Sequence, residues 1–187
     1  CCDSVRDSLD ETDQAYARLT DQSYKMYDGT VPDQYEHWQR VPEFDSNYVS
    51  VWDSEDSHRF ISVRGTKPNL KDLGEDLKIT AMGAPDNLIG GELRKILDHT
   101  RPDKTVDLGA HSLGTSLALT AYQHDDTLQD RIHQSYLYNP AFTPFHSNVT
   151  DAFEADDRVR YFIDLSDVVS AGDLGSVGPK NVVYRNN

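Results

Sequence analysis

The 187-residue chain is long enough for one domain with a sizeable core, and no apolar run approaches the length of a membrane span. Its 32 acidic and 18 basic residues leave a formal net charge of −14, a solvated acidic surface that repels phosphate backbones and argues against nucleic acid as a partner. Cys1 and Cys2 are adjacent and cannot tie distant segments together. With no initiating Met the chain reads as processed or trimmed; a leading Cys leaves a lipid-anchored terminus open as one option, and the compartment stays open.

Residues 3–27 interleave Val5, Leu9, Ala15, Leu19 and Met26 with acids, which predicts an amphipathic helix. Residues 28–47 carry Asp28-Gly29, Val31-Pro32 and Val41-Pro42 and read as a turn-rich connection. The tyrosines of this region (Tyr16, Tyr24, Tyr27, Tyr35) have two uses open to them: packing on the core, the simpler one, or a docking surface. Tyr48–Asp53 and Arg59–Arg64 alternate around a polar turn and predict a β-hairpin. Leu70–Ile79 reads as a short helix, 83–91 as a loop, and Glu92–His99 as a helix closed by Arg101-Pro102. Thr105–Leu108 is a buried strand followed by a helix from Leu113 to Gln123, and 135–138, 159–163 and 182–184 supply further strands. Strands alternating with helices predict a mostly parallel α/β sheet with helices on both faces. No domain boundary stands out in 1–187: the N-terminal helix and connection occupy 1–47 and the core 48–187.

The stretch DLGAHSLGTSLAL, residues 107–119, carries chemistry. An apolar strand ends in Gly-Ala-His-Ser-Leu-Gly and a small-residue helix follows, the context of a nucleophile elbow, in which a strained turn pushes a serine hydroxyl out of the sheet. The crowding requires small residues two before and two after the serine, and Ala110 and Gly114 stand there. Ser112 is the candidate nucleophile. The Leu113 N–H, at the start of a helix whose dipole favours negative charge, is a candidate oxyanion donor.

Four motifs in order resemble the class 3 lipases, the α/β-hydrolases typified by fungal triglyceride lipases: RFISVRGTKPNLKDLGEDL (59–77), GAHSLGTSLAL (109–119), YNPAFTP (138–144) and DRVRYFIDLSDVV (157–169). The resemblance runs from about Tyr48 to Tyr184. It implies an α/β-hydrolase fold, a carboxylic-ester substrate and a role in lipid metabolism. It also implies Thr66 as the second oxyanion donor and Asp167 as the triad acid, with Asp164 as a fallback. Arg64 is expected to pair with a carboxylate behind the site, and Asp72 and Asp76 to serve in capping and pairing. The 78–105 interval is short for the family's helical flap, so a reduced lid is expected. Met82 and Leu88-Ile89 then form either a small apolar rim or ordinary core.

The base is the missing part. In this fold the chain order is serine, acid, histidine, and none of His37, His58, His99, His111, His124, His133 and His146 follows Asp167. The tail SVGPKNVVYRNN resembles the family's closing segment, in which a histidine precedes a glycine by two residues. Ser176 holds that place, so the segment itself is expected to be present. His111 is expected to brace the elbow with its ring turned away from the hydroxyl. His146, after the Asn-Pro loop, is the one candidate substitute base, and the other five read as surface residues. Losing the histidine of a serine triad costs about a millionfold in turnover, leaving roughly 10³–10⁴ over water. The expectation is therefore an inactive or impaired homologue, a pseudoenzyme that binds an ester or acyl ligand or protein partners in a larger assembly. The alternative is a working serine esterase. No metal-ligand cluster, phosphate loop or dinucleotide fingerprint occurs, so no cofactor is predicted.

Overall fold

The computed structural model describes residues 11–26, 29–65, 89–111, 113–138, 158–164 and 182–185. Among these, eight strands form one sheet in chain order: β1 Gln34–Tyr35, β2 Trp38–Arg40, β3 Val49–Asp53, β4 His58–Val63, β5 Thr105–His111, β6 Ile132–Tyr138, β7 Val159–Asp164 and β8 Val182–Arg185. The pairings from β1 to β4 are antiparallel and those from β4 to β8 are parallel. The carboxyl ends of β4 to β8 therefore share one edge of the sheet. In register, Val63 lies beside Ala110 and His111 beside Tyr138. The described helices are α1 Glu11–Gln22, α2 Gly90–Asp98, α3 Leu113–His124 and α4 Asp126–Arg131.

Alternation along the strands divides the interior in two. Val49, Val51, Ile61, Val63, Val106, Leu108, Ala110 and Leu137 face α2, α3 and α4 in an aliphatic cluster. Trp52, Phe60, Tyr136, Tyr138 and Phe162 face the other way, against Tyr16 and Leu19 of α1. Helices thus cover both faces, as expected of an α/β-hydrolase-like fold. Tyr16 stacks on Phe60 at 4.3 Å and meets Tyr136 edge-on at 4.8 Å.

The face that α1 buries is partly polar. Asp13, Tyr16, Thr20 and Ser23 share it with Leu19, at three- and four-residue spacing. The Tyr16 hydroxyl donates to Asp107 of β5 at 2.7 Å and Tyr138 donates to the Asp13 carbonyl at 2.8 Å. Arg160 of β7 pairs with the Asp13 carboxylate at 2.7 Å. Of the predicted helix 3–27, residues 3–10 and 27 lie outside the described residues, and a 3-10 turn takes over at Ser23–Met26. Of the four tyrosines, Tyr16 is buried and Tyr35 rests against the aromatic cluster, while Tyr27 lies outside the described residues.

Two regions depart from expectation. The 28–47 connection contains β1, β2 and a 3-10 turn at Pro42–Phe44. Strands of two and three residues are too short to show alternation, and they are held by docking on β3, where Trp38 is buried. Helix α4 was absent from the expected elements because Leu128 is its single buried residue. Its signal is a cap, since the Asp125 carboxylate accepts from the Thr127 N–H at 2.9 Å. Elsewhere the hairpin, α2, β5, α3, β6, β7 and β8 stand within three residues of their expected bounds. The expected helix at 70–79 lies outside the described residues.

Candidate active site

β5 ends at His111 and α3 starts at Leu113. The end of β5 lies at the carboxyl edge of the sheet, where the chain also leaves β4 at Val63 and β6 at Tyr138. α3 approaches that edge closely. A Cβ on Gly114 would lie 2.6 Å from the Arg64 carbonyl oxygen and 2.8 Å from that of Val63, both of them backbone atoms. Only glycine fits, and its absence of a side chain brings the first turn of α3 against the end of β4. Ala110, the other small residue of the motif, is fully buried in the aliphatic cluster.

Two side chains brace this corner. Arg64 is buried; its guanidinium donates to the Gly65 carbonyl at 2.8 Å and lies 4.6 Å from the centre of the Tyr48 ring. His111 shares the parity of Asp107 and Gly109, which places it on the α1 side of β5. There its Nδ1 is hydrogen-bonded to the Tyr24 hydroxyl and the two rings meet edge to face at 5.5 Å. The Gly65 N–H donates to the same hydroxyl at 3.1 Å. His111 thus occupies the bracing position expected of it. Tyr24 was foreseen only as a packing or docking residue. The signal for its inward role is its spacing, four residues beyond Thr20 and eight beyond Tyr16 on a buried face.

Five histidines sit at the opposite edge. His58 opens β4 level with Thr105. His37 precedes Gln39, which pairs with Asp53, itself opposite Arg59. The His99 carbonyl faces Arg59 at 3.5 Å. His124 ends α3, twelve residues and about 18 Å of helix beyond position 112. His133 sits in a β-bulge beside Asp107, roughly 16 Å of strand below position 112. There its Nδ1 faces the Asp107 carboxylate at 3.2 Å.

Of the expected site residues, Leu113 is described as the first residue of α3, with its backbone at the helix N-terminus. Asp164 closes β7. Ser112, Thr66, Asp167, His146, Ser176, Asp72, Asp76 and Met82 lie outside the described residues, as does the lid interval up to residue 88. Ile89 is fully buried in the aliphatic cluster, so it serves as core and not as a rim. Among the described residues no three His, Cys, Asp or Glu side chains are grouped to hold a metal ion, and no helix is long and apolar enough to cross a membrane.

The sheet, its two helical layers and the strand–turn–helix corner define an α/β-hydrolase-like fold, and comparison with solved structures makes it a lipase-like one. The native propeptide complex of Rhizomucor miehei lipase superposes with a TM-score of 0.58 at 17% identity, over 87% of this chain and 62% of that one. Lip2 lipase from Yarrowia lipolytica gives 0.58 at 15% identity over 84% and 73%. The lipase from Rhizopus microsporus var. chinensis gives 0.51 at 14% over 85% and 66%. The chain therefore spans somewhat under two thirds of the length of the Rhizomucor lipase chain. No protein-family model matches the sequence, and no curated protein does.

Proposed function

We propose that this chain is a class 3 lipase-like domain in which the machinery for carboxylic-ester hydrolysis is assembled except for its base. Ser112 is the nucleophile, the backbone N–H groups of Thr66 and Leu113 receive the oxyanion, and Asp167 is the acid. With Ser176 where an imidazole is needed, the serine proton has no acceptor and turnover is impaired or lost. The domain then acts as a binding or structural component, with an ester or acyl group as the ligand its oxyanion donors suit. The Rhizomucor neighbour is a lipase–propeptide complex, which supports a polypeptide partner as the second kind of ligand.

The observation that carries this reading is the distribution of imidazoles. Of the six described histidines, five lie at the amino edge of the parallel strands, away from the start of α3, and His111 is engaged by Tyr24 on the α1 side. The strand–turn–helix corner favours a second reading, a working esterase with His146 as its base. One experiment separates them: hydrolysis of a short-chain chromogenic ester by the parent, Ser112→Ala, His146→Ala and Ser176→His. The expected result is negligible Ser112-dependent activity in the parent and a gain of about 10²–10⁴-fold in Ser176→His. Parental activity that vanishes in both Ser112→Ala and His146→Ala establishes the second reading. No gain in Ser176→His overturns the first.

A further inference from the structure

The N-terminal segment delivers one hydroxyl to the place where β4 and β5 end side by side. The Thr20 carbonyl near the end of α1 accepts from Ser62 of β4 at 3.1 Å and from Ser23 at 2.6 Å. A Cβ on Gly109 would meet the Thr20 hydroxyl at 2.4 Å, so α1 lies directly on β5. From that anchored point the 3-10 turn Ser23–Met26 carries Tyr24 to the carboxyl edge. There its oxygen accepts from the Gly65 N–H at 3.1 Å and is hydrogen-bonded to His111 Nδ1. A backbone N–H can only donate, so the phenol oxygen is the acceptor in the first contact.

The geometry points to Tyr24 as a positioning residue of the oxyanion site. Its hydroxyl bridges Gly65, one residue before Thr66, and His111, one residue before Ser112. It thereby sets the spacing between the two backbone segments from which the oxyanion draws its donors. The inference rests on the assignment of Thr66, Ser112 and Leu113 made above, and it adds a dependence of the site on the N-terminal segment. The bridge spans 87 residues in one direction and 41 in the other. It acts beside the close contact of Gly114 with Arg64, and donor placement matters on this scale because an error of about 1 Å costs about a hundredfold in rate.

The test compares Tyr24→Phe with Tyr16→Phe. Each removes one phenol that anchors the N-terminal segment, but the Tyr16 hydroxyl bonds Asp107, away from the carboxyl edge. Three readouts are made: hydrogen exchange of the Gly65 amide, the ¹⁵N shift of His111 Nδ1, and kcat against KM for ester hydrolysis in the Ser176→His background. Tyr24→Phe is expected to speed Gly65 exchange about tenfold and to shift the Nδ1 resonance. It is also expected to lower kcat about tenfold with KM little changed. Tyr16→Phe is expected to lower Tm and to move none of the three. Equal exchange and equal nitrogen shifts in the two variants overturn the bridge. A broken bridge with unchanged kcat overturns the positioning role. If Ser176→His itself shows no Ser112-dependent hydrolysis, the failure lies with the assignment of the site, and the positioning role falls with it.

Discussion

The two edges of the sheet are held by different means. At the amino edge of the parallel strands, long charged side chains do the holding. Arg59 forks onto Asp53 at 2.7 and 2.9 Å and reaches Thr100 at 2.8 Å, while Lys104 adds a 3.0 Å bond to the same carboxylate. At the carboxyl edge the holding is done by backbone, with α3 pressed on the end of β4 through Gly114 and one phenol joining Gly65 to His111. Flexible side chains absorb small shifts, whereas contacts between backbones do not. The oxyanion donors proposed for the carboxyl edge would gain from the second arrangement, and an edge that only has to stay closed manages with the first.

This contrast ranks the effects of substitution. Gly114→Val should be the most damaging, because the added carbons meet carbonyl groups that cannot rotate aside. About 3 kcal/mol of destabilisation is expected, a fall in Tm of roughly 6–12 °C by calorimetry. A change below about 2 °C would show that the carboxyl edge has slack after all. Asp53→Asn comes next, at about 2 kcal/mol in urea titrations at neutral pH, since Arg59 is left buried with its charge uncompensated. Burial pushes the Asp53 carboxyl up, but the bonds from Arg59 and Lys104 outweigh burial and hold it below the usual carboxylate range. Its contribution is therefore complete above the unfolded value of about 3.9 and fades as pH falls through the lower folded one. The gap between parent and variant should begin to narrow below about pH 4 and close once the pH is below the folded value. A gap that persists there would mean the loss is one of packing. Arg94→Ala is the smallest case. Its guanidinium reaches Asp98 at 3.2 Å and Asp125 at 3.1 Å from an exposed position, where solvent screens such pairs. No measurable change in Tm is expected, and a clear drop would extend the importance of charge pairs from the sheet edge to the helical layer.

What was legible in the sequence follows from how local each signal is. The β3–β4 hairpin and β5 announce themselves by alternation and burial, and α3 by small residues after the Gly-Ala-His-Ser turn. The Gly114 requirement was visible in the motif itself, although the carbonyl it meets, that of Arg64, lies 50 residues back in the chain. What holds the corner in place was not visible. Tyr24 and His111 meet only because α1 docks across β4, β5, β6 and β7. The polar half of α1 was hidden for a related reason: Asp13 reads as a surface acid until Arg160 is brought to it. The bulge at His133 left no periodic trace, because one extra residue in a strand of seven erases the alternation that would mark it.

Strand order that copies chain order has a consequence for biosynthesis. Each strand leaving the ribosome can add to an edge already exposed, and none has to be threaded between two that are in place. The exception is the helix that precedes the strands in the chain. α1 bonds Ser62, Asp107, Tyr138 and Arg160, so its full set of anchors exists only once residue 160 has been translated. A helix that precedes all eight described strands in the chain thus gains its full set of anchors only with the seventh, as a clasp over four strands.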